Sequence, residues 1–119
     1  MKRELQTATK LTIIIGSDER RAHRPLYEAV LEVLRAAGVK GATITKGVMG
    51  YGQRRRIHSN MNEITMENLP LIIEALDESE RLEAVASQIA LMLGEHGLVQ
   101  LHRTTTFKLP LAEDERSAG

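Results

Sequence analysis

The fold prediction for this chain starts from the stretch KLTIII (residues 10–15), which is followed by Gly16-Ser17-Asp18. Its β-branched and aliphatic residues predict a strand, and the glycine, serine and aspartate predict the turn that ends it. Side chains alternate along a strand, so Ile13 and Ile15 lie on the side opposite to Ile14. This stretch is therefore expected to be a strand of a sheet, with apolar residues on both faces.

Two helices are predicted from apolar residues that recur at the spacing of one helical face. The first follows Pro25, which suits a first helical residue, and ends at Gly38. The second has two candidate N-cap residues, Asp77 and Ser79, and ends near Gly94. The apolar positions are Leu26, Val30, Val33, Leu34 and Ala37 in the first helix, and Leu82, Val85, Ala86, Ile89 and Leu93 in the second.

Three further strands are predicted at residues 42–48, 69–76 and 98–107. Pro70 stands near the start of the second of these, where a missing N–H donor is tolerated. The resulting order is strand, helix, strand, strand, helix, strand. It predicts an α+β fold of the ferredoxin-like βαββαβ type, in which an antiparallel sheet carries both helices on one face.

Two helices cover only one face of such a sheet. We expect the face that includes Ile13 and Ile73 to pack against the helices, together with Ile15 and Leu71. Ile14 and Ile72 then lie on the uncovered face, which is partly apolar and could pair with another subunit. The alternative is a monomer with a few exposed aliphatic side chains.

Length and charge limit the possible functions. The 119 residues suffice for one domain, which we place at residues 10–108, between a flexible segment at 1–9 and a charged tail at 109–119. Sixteen basic residues balance sixteen acidic ones, which disfavours binding of polyanions through overall charge. The absence of cysteine excludes disulfides, thiolate metal sites and thiol nucleophiles.

The hydropathy pattern predicts a cytoplasmic protein without membrane insertion. No apolar run approaches the roughly 18–20 residues that a membrane-spanning helix needs. The first residues have a basic beginning but no apolar stretch typical of a secretory signal.

The segment from Gly50 to His58, GYGQRRRIH, carries the candidate binding chemistry. Glycine allows close approach of a ligand to the backbone, and guanidinium groups form paired hydrogen bonds with phosphate oxygens. The predicted ligand is therefore a phosphate-bearing molecule. The alternative is an exposed loop with a basic tip, because neither GxxxxGK[ST] nor GxGxxG is present. The candidate site residues are Gly50, Tyr51, Gly52, Arg54, Arg55, Arg56 and His58.

A second basic cluster precedes the first helix and could add anion contacts or form a solvated loop. It consists of Arg20, Arg21, His23 and Arg24. Asp18 and Glu19 could meet a divalent ion, although a turn carboxylate needs no such role.

Catalysis and nucleic-acid binding are both disfavoured. Histidine is suited to acid–base catalysis near neutral pH, but His58 has no identifiable partner in the sequence. The histidines also share no metal-ligand spacing. We therefore predict no catalytic residue, metal or cofactor. A small enzyme that uses His58 stays the alternative. An RNA-recognition domain would need aromatic residues in place of Gln53 and Arg55, and the chain has only two tyrosines and one phenylalanine.

Several of these motifs together resemble the PII-like family known as domain of unknown function 190. The similarity extends from about Lys10 to Phe107. The motifs are Pro25-Leu26-Tyr27-Glu28, Gly41-Ala42-Thr43, Gly47-Val48-Met49-Gly50-Tyr51-Gly52, Ile57-His58-Ser59, and Leu69-Pro70 with the later Asp77.

The resemblance implies a trimer similar to PII signalling proteins and no established catalytic reaction. It also implies an adenine nucleotide in clefts between subunits, beside the loop from Gly50 to about Asn62. The expected function is sensing of such a nucleotide, or a related phosphate metabolite, and regulation of a partner protein. The alternative is a ligand-independent module whose arginines dock on an acidic partner or a transporter.

Overall fold

The chain forms a four-stranded antiparallel sheet with two helices. The computed structural model describes residues 4–47 and 69–107. Along these residues the elements are β1 (Gln6–Gly16), β2 (Arg20–Arg21), β3 (Arg24–Pro25), α1 (Leu26–Ala36), β4 (Thr43–Lys46), β5 (Pro70–Asp77), α2 (Ser79–Leu93), a 3-10 turn (Gly94–His96) and β6 (Gly97–Thr106).

The strand order of the main sheet is β4-β5-β1-β6. Strand β1 pairs antiparallel with both β5 and β6, and β4 pairs antiparallel with β5. This order, with one helix between β1 and β4 and another between β5 and β6, is the predicted ferredoxin-like fold. The predicted fold class is therefore confirmed. No helix within residues 4–47 and 69–107 is long and apolar enough to cross a membrane.

A cross-strand row of aliphatic residues lies under the helices. Ile73 pairs with Ile13 on one side and with Ile44 on the other, and Ile13 also pairs with Val99. Ile13 and Ile73 are fully buried and belong to one core cluster with residues of α1 and α2. Ile44, on the edge strand, is 42% exposed. Ile13, Ile15, Leu71 and Ile73 are all buried, which confirms the predicted helix-facing set.

The other face of the sheet is only partly covered among the described residues. Ile14 pairs with Ile72 and with Leu98, and all three keep part of their surface exposed. Further along the same face, Lys10 Nζ lies 2.9 Å from Glu74 Oε2. This face, which we call the open face, therefore combines an apolar end with a charged one.

The helix starts differ from the predicted ones. Pro25 precedes α1 with an extended ψ of 136°, so Leu26 is the first helical residue. The N-cap of α2 is Glu78, which makes no side-chain capping bond, so the assignment of Asp77 or Ser79 as N-cap was wrong. The helix ends are as predicted, since Gly38 and Gly94 adopt positive φ angles of 83° and 56°.

Asp77 joins three parts of the fold instead of capping α2. It is the last residue of β5 and only 4% exposed. One carboxylate oxygen accepts from Glu78 N at 2.7 Å and from Arg81 Nη1 at 2.9 Å. The other accepts from Lys40 N at 3.4 Å. Because the carboxylate lies on the buried face of β5, it bonds to the α1–β4 connection and to the first turn of α2.

The strand bounds also shift relative to the sequence-based ones. Strand β1 begins at Gln6, four residues before the predicted start, and continues to Gly16. The stretch predicted as a polar loop after β1 contains a hairpin, in which Arg20 pairs with Pro25 and Arg21 with Arg24. The hairpin is too short for an alternating hydrophobic pattern, so periodicity could not indicate it.

A substitution at Gly97 should destabilise the fold by close contact alone. A Cβ atom there would lie 2.5 Å from Ile15 Cγ2, 2.8 Å from Leu93 Cδ1 and 3.0 Å from the Ile14 carbonyl oxygen. We expect Gly97→Ala to lower the free energy of unfolding by about 2 kcal/mol in urea denaturation, because a core overfilled by one methyl group must shift. Gly41→Ala is the matched control, since nothing lies within 4 Å of its added Cβ. Equal stabilities for the two variants would contradict this packing.

Candidate functional site

The predicted site residues all lie outside the described part of the chain. Gly50, Tyr51, Gly52, Arg54, Arg55, Arg56 and His58 belong to the segment 48–68 that separates β4 from β5. The described residues on either side locate the two ends of this segment. They also identify which other side chains share that end of the sheet.

Both ends of the segment are held at one end of the sheet, which we call the loop end. Gly47 N donates to Pro70 O at 2.7 Å, and Ser17 N donates to Leu69 O at 2.8 Å. The register places Gly16 opposite Pro70, so the end of β1 lies there as well. These backbone bonds position the residues on either side of the segment.

The basic hairpin β2–β3 starts three residues beyond Ser17, which is bonded at the loop end. Leu26 N donates to Glu19 O at 2.7 Å, which fixes the base of the hairpin to the start of α1. Arg20 Nη2 donates to His23 O at 3.0 Å across the turn. Ala22 has a φ of 57°, a left-handed conformation that non-glycine residues rarely adopt. The hairpin therefore follows directly from the sheet end that holds segment 48–68.

One arginine of this hairpin is already paired with an acid. Arg24 forms two hydrogen bonds with Glu32 of α1, from Nη1 to Oε2 at 2.8 Å and from Nη2 to Oε1 at 3.1 Å. The hydrogen bonds, and then the charge of Arg24, lower the pKa of Glu32; the same contacts raise the pKa of Arg24. Arg24 is therefore a poor candidate for an anion contact while Glu32 holds it.

The other two arginines of the hairpin are exposed. Arg20 is bonded to a carbonyl oxygen, and Arg21 lines a groove between the two helices. Within the described ranges neither forms an ion pair with an acidic side chain. Of the second predicted cluster, these two side chains keep a positive charge that a phosphate or a carboxylate could meet.

One of the two acidic residues after β1, Glu19, contacts a histidine. Glu19 Oε2 lies 3.4 Å from His96 Nδ1, which connects the turn after β1 to the 3-10 turn after α2. Among residues 4–47 and 69–107, no group of three or more histidine, aspartate or glutamate side chains could hold a metal ion. The contact of Glu19 with His96 gives that carboxylate a role within the fold.

Comparison with known proteins identifies the family. The model of the DUF190 family, described as "Uncharacterized ACR", matches residues 8–106. A UPF0166 protein of Aquifex aeolicus is 30% identical over 92 residues, which cover 76% of this chain and 85% of the relative. The UPF0166 protein MJ1524 of Methanocaldococcus jannaschii is 31% identical over 74 residues, covering 62% and 68%. This chain belongs to the DUF190 family.

Solved structures with a similar fold include CPII from Thiomonas intermedia K12, a nitrogen regulatory PII-like protein. One CPII structure, bound to ADP, AMP and bicarbonate, has a TM-score of 0.69 at 22% identity and covers 90% of this chain and 94% of the neighbour. A second, bound to ADP and bicarbonate, has a TM-score of 0.67 at the same identity and covers 90% and 95%. The fold is therefore PII-like, as the sequence motifs indicate.

Proposed function

We propose that this protein is a non-catalytic PII-like regulator that binds an adenine nucleotide or a related phosphate metabolite and modulates a partner protein. The fold is that of CPII, which has been solved with ADP and AMP. For this chain the proposal is supported by the positions of Gly47 and Leu69, the residues on either side of segment 48–68. Both flanking residues are bonded at the loop end, from which the basic hairpin also starts.

The binding contacts would come from the arginine-rich segment. Arg54, Arg55 and Arg56 are adjacent in the sequence and follow two glycines, so a phosphate could meet several guanidinium groups and the backbone. In switch proteins, charge-assisted hydrogen bonds of this kind order a loop when the ligand binds and release it when the ligand leaves, and we propose the same for this segment. A partner that contacts the segment would then distinguish the liganded from the unliganded protein. His58 is proposed as a contact residue and not as an acid or base.

Thermal unfolding against a nucleotide panel tests the proposal. ATP, ADP, AMP and cyclic nucleotides are added separately, with and without magnesium. A ligand at about a hundred times its dissociation constant stabilises the native state by roughly 2.7 kcal/mol. In a chain of this length each kcal/mol raises Tm by about 3–6 °C, so a shift of roughly 8–16 °C is expected. A panel in which no nucleotide moves Tm would overturn the proposed function.

A trimer assembled through the open face is part of the proposal. Ile14, Ile72 and Leu98 give this face an apolar end, and burial against another subunit would remove that surface from water. The same face also has a shallow depression of about 380 Å³, which is lined by Lys10 and His102.

The Ile72→Asp variant should therefore lose the trimer. A carboxylate at this position would be desolvated in the interface without a partner, which costs several kcal/mol. Light scattering at micromolar concentration should report a trimer for the wild type and a smaller species for the variant. Leu5→Asp, an exposed leucine just before β1, is the control and should keep the trimer. A wild-type monomer would contradict the proposed assembly.

A further inference from the structure

Helix α2 presents a leucine to solvent on an otherwise acidic surface. Leu91 is 85% exposed, more than any other large hydrophobic residue in the described part of the chain. Ser87 and Glu83 lie one and two turns before it and are exposed as well, as is Glu80. We call these four residues the α2 ridge. Its charged part is acidic, because Arg81 of the same helix is bonded to Asp77.

A groove runs beside this ridge, between α1 and α2. It encloses about 460 Å³ and has a floor of small and apolar side chains. Gln88 lines the groove and lies one turn before Leu91, so the ridge and the groove are direct neighbours. We call this feature the α1–α2 groove. The lining residues that matter here are Ala29, Val33, Ala36, Met92, Gln88 and Arg21.

The rim of the groove is basic where the ridge is acidic. Arg21 lines the groove and its side chain is exposed. Glu32 also lies on the rim, but its carboxylate is held by Arg24 through two hydrogen bonds. Among the residues that line the groove, the positive charge without an acidic partner in the described part of the chain therefore belongs to Arg21. It is opposite in sign to the charge of Glu80 and Glu83.

We propose that the α1–α2 surface is a self-association site, in which Leu91 of one copy packs into the α1–α2 groove of a second copy. The chain supplies both complementary halves, an apolar knob with acidic neighbours and an apolar groove with a basic rim. Because the two halves are adjacent, a two-fold axis between them places each Leu91 in the other copy's groove. This arrangement identifies a second copy of the chain as the partner that fits both shape and charge.

This contact is separate from the proposed trimer. The helices cover the face of the sheet that includes Ile13, whereas the open face includes Ile14 and Ile72. A contact through the helices leaves the open face free, so both contacts can exist in one particle. Self-association through α2 would then join trimers in pairs, or join monomers if the open face stays unpartnered.

Sedimentation velocity at chain concentrations from about 1 μM to about 1 mM tests the proposal. We expect a concentration-dependent doubling of mass in the wild type, and at least a tenfold increase in its dissociation constant in Leu91→Ser. Arg21→Glu should weaken the doubling similarly, and the double variant Arg21→Glu with Glu83→Arg should restore it. Leu5→Ser removes another exposed leucine, at 62% exposure, and should leave the doubling unchanged.

Disulfide trapping gives an independent readout, because the chain has no cysteine of its own. A mixture of Leu91→Cys and Ala36→Cys proteins should give an oxidised two-chain species that contains both variants. The mixture of Leu5→Cys with Ala36→Cys should give none. The proposal is overturned if Leu91→Ser and the wild type have the same mass at every concentration, or if the Leu91→Cys mixture forms no mixed species. If Ile72→Asp abolishes the trimer, the mass doubling and the mixed disulfide species can still be measured, because neither uses the open face.

Discussion

Replacing Arg54, Arg55 and Arg56 together by alanine should abolish most of the thermal stabilisation that an adenine nucleotide gives. The wild type is expected to gain roughly 8–16 °C at a ligand concentration of about a hundred times the dissociation constant. The variant should gain less than about a quarter of that, because charge-assisted hydrogen bonds to phosphate are among the strongest polar contacts. Its unliganded Tm should change by no more than about 2 °C, since exposed arginines contribute little to stability.

A charge-matched control separates phosphate recognition from loss of overall charge. Arg35, Lys40 and Arg103 are exposed and lie elsewhere on the fold, so the triple alanine variant at these positions removes the same three charges. This control should keep the full ligand-induced shift. If the Arg54, Arg55 and Arg56 variant also keeps it, phosphate recognition lies elsewhere, with Arg20 and Arg21 the next candidates. A much lower unliganded Tm would mean that these arginines are structural.

Ile73→Ala should have the largest effect on folding itself. The side chain is fully buried in the centre of the cross-strand row, between Ile13 and Ile44. Replacing a buried isoleucine by alanine lowers the free energy of unfolding by about 3–4 kcal/mol, because the transfer free energy of the removed atoms is lost and a cavity remains. Urea denaturation followed by circular dichroism should show this loss as a lower midpoint.

Ile44→Ala is the matched control for this variant. Ile44 has the same side chain and lies on the same face beside Ile73, but it is 42% exposed on the edge strand β4. Its loss should be about 1 kcal/mol, since much of the side chain never leaves water. Similar losses for the two variants would contradict the position of the helices over the centre of the sheet.

The sheet and helices could be predicted from sequence because their signals repeat. Alternation in KLTIII assigns Ile13 and Ile15 to the buried face, and the same period assigns Leu71 and Ile73. The apolar stripe of α2 recurs over about three turns, and its five predicted positions are all buried. In each of these elements several apolar residues recur at the same spacing, so the prediction does not depend on any single residue.

Asp77 shows why a single polar residue was harder to interpret. Aspartate before a helix usually indicates an N-cap. That rule considers only the helix that follows and takes no account of the alternation in β5. Continuing the alternation from Ile73 through Ala75 places residue 77 on the buried face. A buried carboxylate needs donors, which the structure supplies from Lys40, Glu78 and Arg81. The alternation along β5 therefore indicates a buried Asp77, whereas the helix-start rule indicates an N-cap.

The site depends on contacts that sequence periodicity does not encode. The bonds from Gly47 and Ser17 that hold both ends of segment 48–68 at the loop end are made by backbone groups, which any residue type could supply. The pairing of Arg24 with Glu32 needs the hairpin to fold back on α1, and a two-residue ladder has no pattern of its own. The nucleotide contacts of Arg54, Arg55 and Arg56 stay a prediction from composition and family resemblance.

Calorimetric titration of ADP into the wild-type protein tests nucleotide binding itself, because it measures binding without relying on unfolding. We expect saturable binding with about one nucleotide per chain, as equivalent subunits of a symmetric trimer require. Saturation should weaken as salt concentration rises, because charged contacts are screened. The absence of saturable binding of ADP, and then of ATP and AMP, at concentrations up to about 1 mM would contradict the proposed function.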